Sequence, residues 1–485
     1  MNVEHSRAMK LGADATGLTE SELQTRLRDS LVTLRVDPDL DGGLLCARVL
    51  LATLRRNPGR LALVRGRLHD DELDTLVGAV AAIDSRMPLK LVDGPENDSA
   101  LNIDIGTRAA AGWFRVLPDG FGARLANDAQ PDLQQAHQAN ALGCVVAAAF
   151  GAGEAFKYTA GVLDTRCRRH DQLTFCPVTL GPDLAAAAAL HSDTPLDIAL
   201  VGLGAIGTAS ALILSELKLG GRIIVCDPER FGPENKGTYS LGGEHEASLQ
   251  PPKTELVAAT LTAAGYDVCP VKGTSLELIR RVETAEVAMP RVVLTGLDSP
   301  DARRETQGLW ADVIIDGQTG DTAAGLCVAR PDGPCLRCFF PADLGGPSAL
   351  RRVAQATGIP VARLADGSSL VQPEDVQHLP PEMRRRLVGK PMCGVADAAG
   401  LTDANADGFM PSIPFVSQIA ACMVIGRLLS LSGGSPTEAN WFQLDALQGP
   451  NGEPDVMKPS RDCQCQTRPA VVRAVRDDHY RLREE

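Results

Sequence analysis

The feature that most constrains this fold is a short apolar strand that leads directly into a glycine-rich loop and a helix. The segment IALVGLGAIG predicts a buried strand at Ile198–Val201, a loop with Gly202, Gly204 and Gly207, and a helix over Thr208–Leu219. Glycines at this spacing permit a tight turn and a close approach of the backbone to phosphate, and the helix N-terminus offers free N–H groups. The pattern predicts a parallel α/β sheet with a nucleotide at its carboxyl edge.

Four polar residues follow the glycine loop at places that suit a nucleotide. Asp227 ends the next predicted strand, where its carboxylate can accept hydrogen bonds from ribose hydroxyls. Asn235 lies in a polar loop, Lys253 begins a helix and Asp298 follows a strand. These residue types handle phosphate and metal at the carboxyl ends of strands. The glycine loop alone is also typical of NAD-dependent dehydrogenases, so an NAD-dependent oxidoreductase is an alternative from another enzyme class.

Taken in order, these residues resemble the adenylation domain of the ubiquitin-activating-enzyme-like (ThiF/MoeB/HesA) superfamily. The resemblance extends from Asp197 to Arg337, and the matching residues are Gly202, Gly204, Gly207, Asp227, Asn235, Lys253, Asp298 and Arg303. It implies a Rossmann-type, doubly wound, mostly parallel sheet in which Asp227 holds the ribose of ATP. Asn235 and Lys253 would contact the phosphates and Asp298 would hold Mg²⁺, so these three would carry the catalysis.

The resemblance implies a function and also shows one departure. Members adenylate carboxylates with ATP, and the substrate would be the C-terminal carboxylate of a ubiquitin-like protein, a sulfur-carrier protein or a peptide. A small-molecule carboxylate in a biosynthetic pathway would be a different substrate class, and a catalytically silent scaffold would have no substrate. The family usually has an arginine three residues after the asparagine, whereas this chain has Thr238. A phosphate contact is therefore missing, or it comes from Lys236 or the N-terminal half.

Cysteines suggest a metal site and a nucleophile. Two close pairs, Cys335 with Cys338 and Cys463 with Cys465, suit tetrahedral Zn²⁺ in a structural role, and a zinc-stapled adenylation domain is common in the superfamily. The family's second pair usually has two intervening residues, but this one has a single one. Cys393 stands in a glycine-flanked loop, where many members carry a cysteine that accepts the acyl group. An ordinary loop thiol is the alternative.

The chain divides into two predicted α/β domains. Residues 1–183 alternate strands and helices without a nucleotide loop, and residues 184–485 form the ATP-binding domain with a crossover insertion at 343–392. The first domain is interpreted as a degenerate adenylation-like half, which would make each chain an internal pseudo-dimer, or as an unrelated substrate-binding domain. A long buried helix at Leu133–Phe156 is expected near the interface between the halves. The family also suggests a homodimer of whole chains.

Charge and hydropathy exclude two classes of partner. A net charge of −13 argues against nucleic acid, whose binding needs clustered positive charge. No apolar run is expected to approach the roughly 20 residues that cross a bilayer, and the N-terminus lacks an apolar signal core. We therefore expect a cytoplasmic protein with no membrane partner. In that reducing compartment the thirteen cysteines are interpreted as metal ligands, nucleophiles or small buried hydrophobic residues before they are interpreted as disulfides.

Overall fold

The protein contains two seven-stranded sheets, one in each half. The computed structural model describes residues 6–96, 98–161, 169–188, 195–341, 349–364, 369–390, 392, 395, 399, 413–433 and 438–484. The strands of the first sheet are β1 Leu31–Val36, β2 Arg60–Val64, β3 Lys90–Val92, β4 Ser99–Ile105, β5 Trp113–Asp119, β6 Gly122–Ala126 and β7 Gln172–Phe175. Those of the second are β8 Leu196–Val201, β9 Gly221–Cys226, β10 Asp267–Val271, β11 Val292–Thr295, β12 Val313–Gly320, β13 Ala323–Ala329 and β14 Trp441–Asp445.

Helices cover the sheets and form a small separate group in the insertion. In chain order they are α1 Ser6–Thr16, α2 Glu20–Asp29, α3 Gly43–Arg55, α4 Asp70–Ile83, α5 Ala141–Ala160, α6 Ala185–Ala188, α7 Ala205–Leu217, α8 Glu244–Leu249, α9 Lys253–Ala263, α10 Ser275–Glu283, α11 Pro300–Thr306, α12 Leu336–Phe339, α13 Ala349–Thr357, α14 Val361–Leu364, α15 Pro381–Leu387, α16 Pro414–Ser432, α17 Gln464–Thr467 and α18 Pro469–Glu484. Short 3₁₀ turns lie at Pro233–Asn235, Gln307–Leu309 and Pro373–Val376.

The two sheets have the same topology. Their strand orders are β3-β2-β1-β4-β5-β6-β7 and β10-β9-β8-β11-β12-β13-β14, so each strand of one sheet has its counterpart seven strands later. In both, the first five strands along the chain pair in parallel and the last two pair antiparallel. This confirms the predicted doubly wound, mostly parallel α/β fold and agrees with an adenylation-like first half. The predicted boundary at residue 183 falls between β7 and β8 and stays a prediction.

Two apolar helices join the halves in one core. Helix α5 of the first half packs along α16 of the second, and the rings of Phe156 and Phe415 lie 5.9 Å apart between them. Across the same interface, Arg48 of α3 pairs with Glu216 of α7 at 2.5 Å. The largest cluster of buried apolar residues includes members of both sheets, so the halves share a core, and each half has a smaller cluster of its own in addition. The insertion has its own small cluster around Val371 and Leu387.

Two expectations about helix boundaries need correction. The helix after the glycine loop begins at Ala205 and not at Thr208, since Gly204 already occupies its N-cap. The helix predicted at Leu133–Phe156 begins only at Ala141, where the Asn140 side chain caps it by accepting the Gly143 amide. The residues before Asn140 form a loop that the buried Arg115 holds by donating to the carbonyls of Asn127, Gln130 and Pro131.

The expectation that no run is long enough to cross a bilayer was also wrong. Within the described residues, α16 has an 18-residue window, Pro414–Leu431, that meets the length and hydropathy of a membrane span. However, 94% of that window is buried inside the protein. Its apolar surface is used between the two sheets, which is what a core helix of this composition does.

Candidate active site

The glycine loop crosses from β8 to α7 with its backbone tightly packed. Gly202 has a φ of +84°, a left-handed conformation that glycine adopts without strain, and its amide donates to the Cys226 carbonyl at 2.9 Å. A Cβ on Gly207 would lie 2.1 Å from the Gly202 carbonyl oxygen, so only glycine lets the helix approach the strand this closely. The N-terminus of α7, with Gly204 as its N-cap, thus forms a site for an anion.

Asp227 fixes the glycine loop from the end of β9. One carboxylate oxygen accepts the Leu203 amide at 2.7 Å, and the other accepts the Glu229 amide at 2.8 Å. The residue is only 6% exposed. A carboxylate has about four acceptor sites, so both oxygens keep capacity for the hydroxyls that a ribose would present.

Lys253 lies at the centre of a buried polar group beside this loop. It is 3% exposed, and its ammonium donates to the Glu229 carboxylate and, at 2.7 Å, to the Tyr239 hydroxyl. Burial by itself would lower the pKa of Lys253, but Tyr239, Asp227 and Glu229 outweigh it and hold that pKa well above its ordinary value. Burial also raises the pKa of Tyr239 to about 12. The site therefore offers a fixed positive charge at neutral pH.

Asn235 begins a segment that lines the same region and that we call the Asn235 loop, residues 235–242. Its side-chain oxygen accepts the Gly232 amide at 2.8 Å, and the residue is 3% exposed. Thr238, where the family usually has an arginine, is buried, and its hydroxyl donates to the Asn235 carbonyl at 3.4 Å. Lys236 is buried as well, and its ammonium lies 4.0 Å from the Glu244 carboxylate.

Asp298 and Arg303 lie beyond the end of β11 and differ in their surroundings. Asp298 reaches solvent, yet the protein around it raises its pKa, first by displacing water and then through the negative charge of Glu229. Arg303 is buried: its guanidinium donates to Asp316 at 3.1 Å and lies over the Phe340 ring, 4.8 Å from the centroid. Asp316 also accepts a hydrogen bond from Thr295. Arg303 is therefore tied to the sheet, whereas the carboxylate of Asp298 is exposed to a ligand.

The four cysteines of the two predicted pairs meet in one cluster. The Sγ atoms of Cys335 and Cys338 are 3.8 Å apart, those of Cys335 and Cys463 are 3.4 Å apart, and those of Cys338 and Cys465 are 3.5 Å apart. All four lie within 4.8 Å of one another. In a tetrahedral Zn²⁺ site the sulfurs would be separated by about 3.8 Å, so the cluster fits the metal even though the second pair has only one intervening residue.

The predicted nucleophile, Cys393, lies outside the described residues. Five other cysteines expected in the core are buried, as predicted: Cys46, Cys144, Cys226, Cys327 and Cys422. Burial raises the pKa of each of these five thiols, which makes them poor nucleophiles.

Sequence reasoning missed three residues that the structure brings to this region. Glu229 and Tyr239 contact Lys253 directly, and a motif of acid, lysine and tyrosine at such spacing carries no local signal. Arg56 comes from the first half and donates to the Lys236 carbonyl at 2.6 Å, across 180 residues of sequence. The suggestion that the N-terminal half supplies the missing phosphate contact stays a prediction, since Arg56 reaches this loop but donates to its backbone.

Comparison with known proteins gives one family and a set of solved structures. A model described as the ThiF family matches residues 192–467, more than half of the chain. Several solved structures of E. coli MccB are similar to this chain over most of their length. The structure of MccB with MccA-N7isoASN is 11% identical to it and has a TM-score of 0.37, and the match covers 73% of this chain and 97% of that one. The structure of MccB with SeMet MccA is 12% identical and has a TM-score of 0.39, and the match covers 75% of this chain and 99% of that one. The structure of MccB with ATP is 11% identical and has a TM-score of 0.37, and the match covers 73% of this chain and 97% of that one. No curated protein matches the sequence.

Proposed function

The chain belongs to the ThiF family, and from that premise we propose that it uses ATP to adenylate the C-terminal carboxylate of a ubiquitin-like protein, a sulfur-carrier protein or a peptide. The family match supports ATP-dependent adenylation of a carboxylate as the chemistry. The observation that carries the proposal is the direct hydrogen bonding of the glycine loop to Asp227, beside the buried ammonium of Lys253.

The chemistry requires that a poor electrophile be given a good leaving group. A carboxylate oxygen of the substrate attacks the α-phosphorus of ATP, a new P–O bond forms, and the bond to pyrophosphate breaks. Negative charge accumulates on the phosphates, so a fixed cation such as Lys253 stabilises the transition state more than it would in water. Asn235 and the amides at the start of α7 would orient the phosphates, and Asp227 would hold the ribose.

Two metals belong to the proposal in different roles. Asp298 is an exposed carboxylate near Glu229, and oxygen ligands of this kind suit Mg²⁺, which when bound would neutralise charge on the phosphates. Cys335, Cys338, Cys463 and Cys465 would hold Zn²⁺ as a structural ion, since four thiolates leave no open coordination position for chemistry.

A second step is proposed at Cys393. Its thiolate would attack the acyl carbon of the adenylate, form a thioester and release AMP. Adenylation precedes this step, so the two are separable by experiment.

ATP–pyrophosphate exchange tests the adenylation step. Purified protein is incubated with Mg-ATP, labelled pyrophosphate and candidate carrier proteins or peptides, and exchange above the substrate-free level is expected. Asp298→Asn and Lys253→Met should each reduce exchange at least about a hundredfold, because Lys253 supplies a positive charge to the phosphates and Asp298 would supply an oxygen ligand to Mg²⁺. Asp301→Asn is the matched control, since Asp301 is an exposed acid three residues away that pairs with Arg304.

The same preparation distinguishes this function from an oxidoreductase and from a different substrate class. Thermal stabilisation by NAD but not by Mg-ATP would favour an oxidoreductase and contradict the proposal. Exchange with small carboxylates but with no protein or peptide would keep the adenylation chemistry and overturn the substrate class.

A further inference from the structure

The Asn235 loop is held in place by an arginine from the other half of the chain. Arg56 follows helix α3 and is only 3% exposed. One of its terminal nitrogens donates to the Lys236 carbonyl at 2.6 Å, and the other donates to the Ser240 carbonyl at 3.0 Å. Both also approach the Gly242 carbonyl at 3.3 Å. The guanidinium therefore bridges three carbonyls of one short segment and fixes its curvature.

This arginine stays charged although it is buried. Burial lowers the pKa of Arg56 to about 10, which keeps the guanidinium protonated at neutral pH. Hydrogen bonds from an ionised donor are stronger than neutral ones, and buried carbonyls that lose their donor are costly. The Asn235 loop thus depends on Arg56 for its shape.

Further contacts from the first half and the core surround the same segment. The Ser85 amide and hydroxyl donate to Glu244, just beyond the loop, at 3.0 and 2.6 Å. A Cβ on Gly243 would lie 2.0 Å from the Ala82 carbonyl oxygen, so the backbones of the two halves are in direct contact. On the other side, the Ser240 amide donates to the hydroxyl of Thr208 in α7 at 3.2 Å. The loop is therefore packed between the first half and the glycine-loop helix.

The loop in turn carries groups of the candidate site. Asn235 begins it, and the Tyr239 hydroxyl within it accepts the hydrogen bond of Lys253 at 2.7 Å. A Cβ on Gly204 would lie 3.7 Å from the Tyr239 hydroxyl, so this side chain stands next to the glycine loop as well. Any change in the curvature of residues 235–242 would move both groups relative to a bound nucleotide.

We propose that Arg56 is a positioning residue for nucleotide binding, through which the first half sets the geometry of the Asn235 loop in the second. The proposal rests on the proposed function for the identity of the nucleotide. Arg56 acts through Asn235 and Tyr239, because its own guanidinium is occupied by backbone carbonyls. The first half thereby takes part in the site without contributing this side chain to the phosphates.

The neighbouring Arg55 provides a matched control. It is 2% exposed and donates to the carbonyls of Met87, Asn57 and Gly59, all of which belong to the first half. Loss of either arginine leaves buried carbonyls without donors and should lower stability by similar amounts. Of the two, Arg56 is the one that contacts the Asn235 loop, so its loss alone should alter nucleotide binding.

The test compares Arg56→Lys and Arg56→Ala with Arg55→Lys in the full chain. Isothermal titration with Mg-ATP should give a dissociation constant raised about tenfold by Arg56→Lys and further by Arg56→Ala, against less than about twofold for Arg55→Lys. Hydrogen exchange of the amides of residues 236–242 should accelerate in both Arg56 variants and stay at the wild-type rate in Arg55→Lys. Because lysine retains the charge and part of the hydrogen bonding, Arg56→Lys keeps the test readable if Arg56→Ala does not fold.

Two outcomes would overturn the proposal. A folded Arg56→Lys that binds Mg-ATP as tightly as the wild type would show that the loop does not need this arginine. Equal weakening by Arg55→Lys and Arg56→Lys would show a general loss of stability. If wild-type protein itself bound no Mg-ATP, the proposed function would fail. The comparison of hydrogen exchange at residues 236–242 would still decide whether Arg56 fixes the loop.

Discussion

Substitution by alanine should have different effects at two glycines of the same loop: Gly207→Ala should lower stability, and Gly204→Ala should weaken ATP binding. In Gly207→Ala the new Cβ would start 2.1 Å from the Gly202 carbonyl oxygen, whereas ordinary van der Waals contact begins at 3.4 Å. The atom it meets is backbone, so helix α7 would have to move away from β8 by about 1 Å. Overpacking of this kind costs about 3 kcal/mol, which corresponds to a fall in melting temperature on the order of 3 °C for a chain of 485 residues that unfolds as one unit.

Gly204→Ala should leave the fold intact and weaken ATP binding. Gly204 has a φ of −76°, which alanine adopts readily, and the nearest atom to its Cβ would be the Tyr239 hydroxyl at 3.7 Å. Stability should therefore change by no more than about 0.5 kcal/mol. The added methyl group would instead enter the space at the helix N-terminus that the phosphates need, and the dissociation constant for Mg-ATP should rise about tenfold.

Thermal unfolding and titration calorimetry on the two variants measure both effects. The expected result is a lower melting temperature with Gly207→Ala only, and a weakened affinity at unchanged stability with Gly204→Ala. A Gly207→Ala variant as stable as the wild type would refute the packing argument. A Gly204→Ala variant with unchanged affinity would show that the nucleotide does not lie against this turn.

Three further predictions concern metal, nucleophile and charge. Metal analysis should find about one zinc per chain, and Cys335→Ser should lower both the zinc content and the melting temperature. Cys327 is buried and is not part of the cluster, so Cys327→Ser should keep the zinc. Cys393→Ala should retain pyrophosphate exchange but lose a thiol-sensitive adduct seen by mass spectrometry, and loss of both would contradict the order of steps. The partners of Lys253 raise its pKa, so its ammonium is fully charged below the ordinary pKa of lysine and loses its proton only as pH rises through the higher pKa of the folded protein. The affinity for Mg-ATP should therefore be constant from about pH 7 to 9. A decline in affinity centred near about pH 8 would contradict the assignment of this charge to Lys253.

The sequence predicted the sheet well because its strands are short apolar runs ended by turn residues. The strand predicted at Ile198–Val201 forms the last four residues of β8, Leu196–Val201. The start of α5 was placed too early because Leu133 and the alanines after it fit a helix by composition alone. These residues form a loop instead, because the Arg115 guanidinium donates to the carbonyls of Asn127 and Pro131. Such a contact joins separate segments and cannot be predicted from a short stretch of sequence.

The candidate site was predicted only as far as its motif extends. The residues that the resemblance supplied stand at successive strand ends, where polar groups in an apolar pattern are visible in sequence. Glu229 and Tyr239 have no such pattern, and their role is defined only by the position of the Lys253 ammonium. Arg56 directly follows helix α3 of the other half, so its contact with the Asn235 loop depends on how the two halves pack together.

The pairing of helices α5 and α16 has a consequence for how the chain is made. Helix α5 is buried on nearly all sides, and α16 covers one of them. The two are separated by about 250 residues, which a ribosome adds in roughly 10–50 s. Throughout that interval the face of α5 that α16 will bury stays exposed, so a fragment that ends after β7 is expected to aggregate more readily than the whole chain.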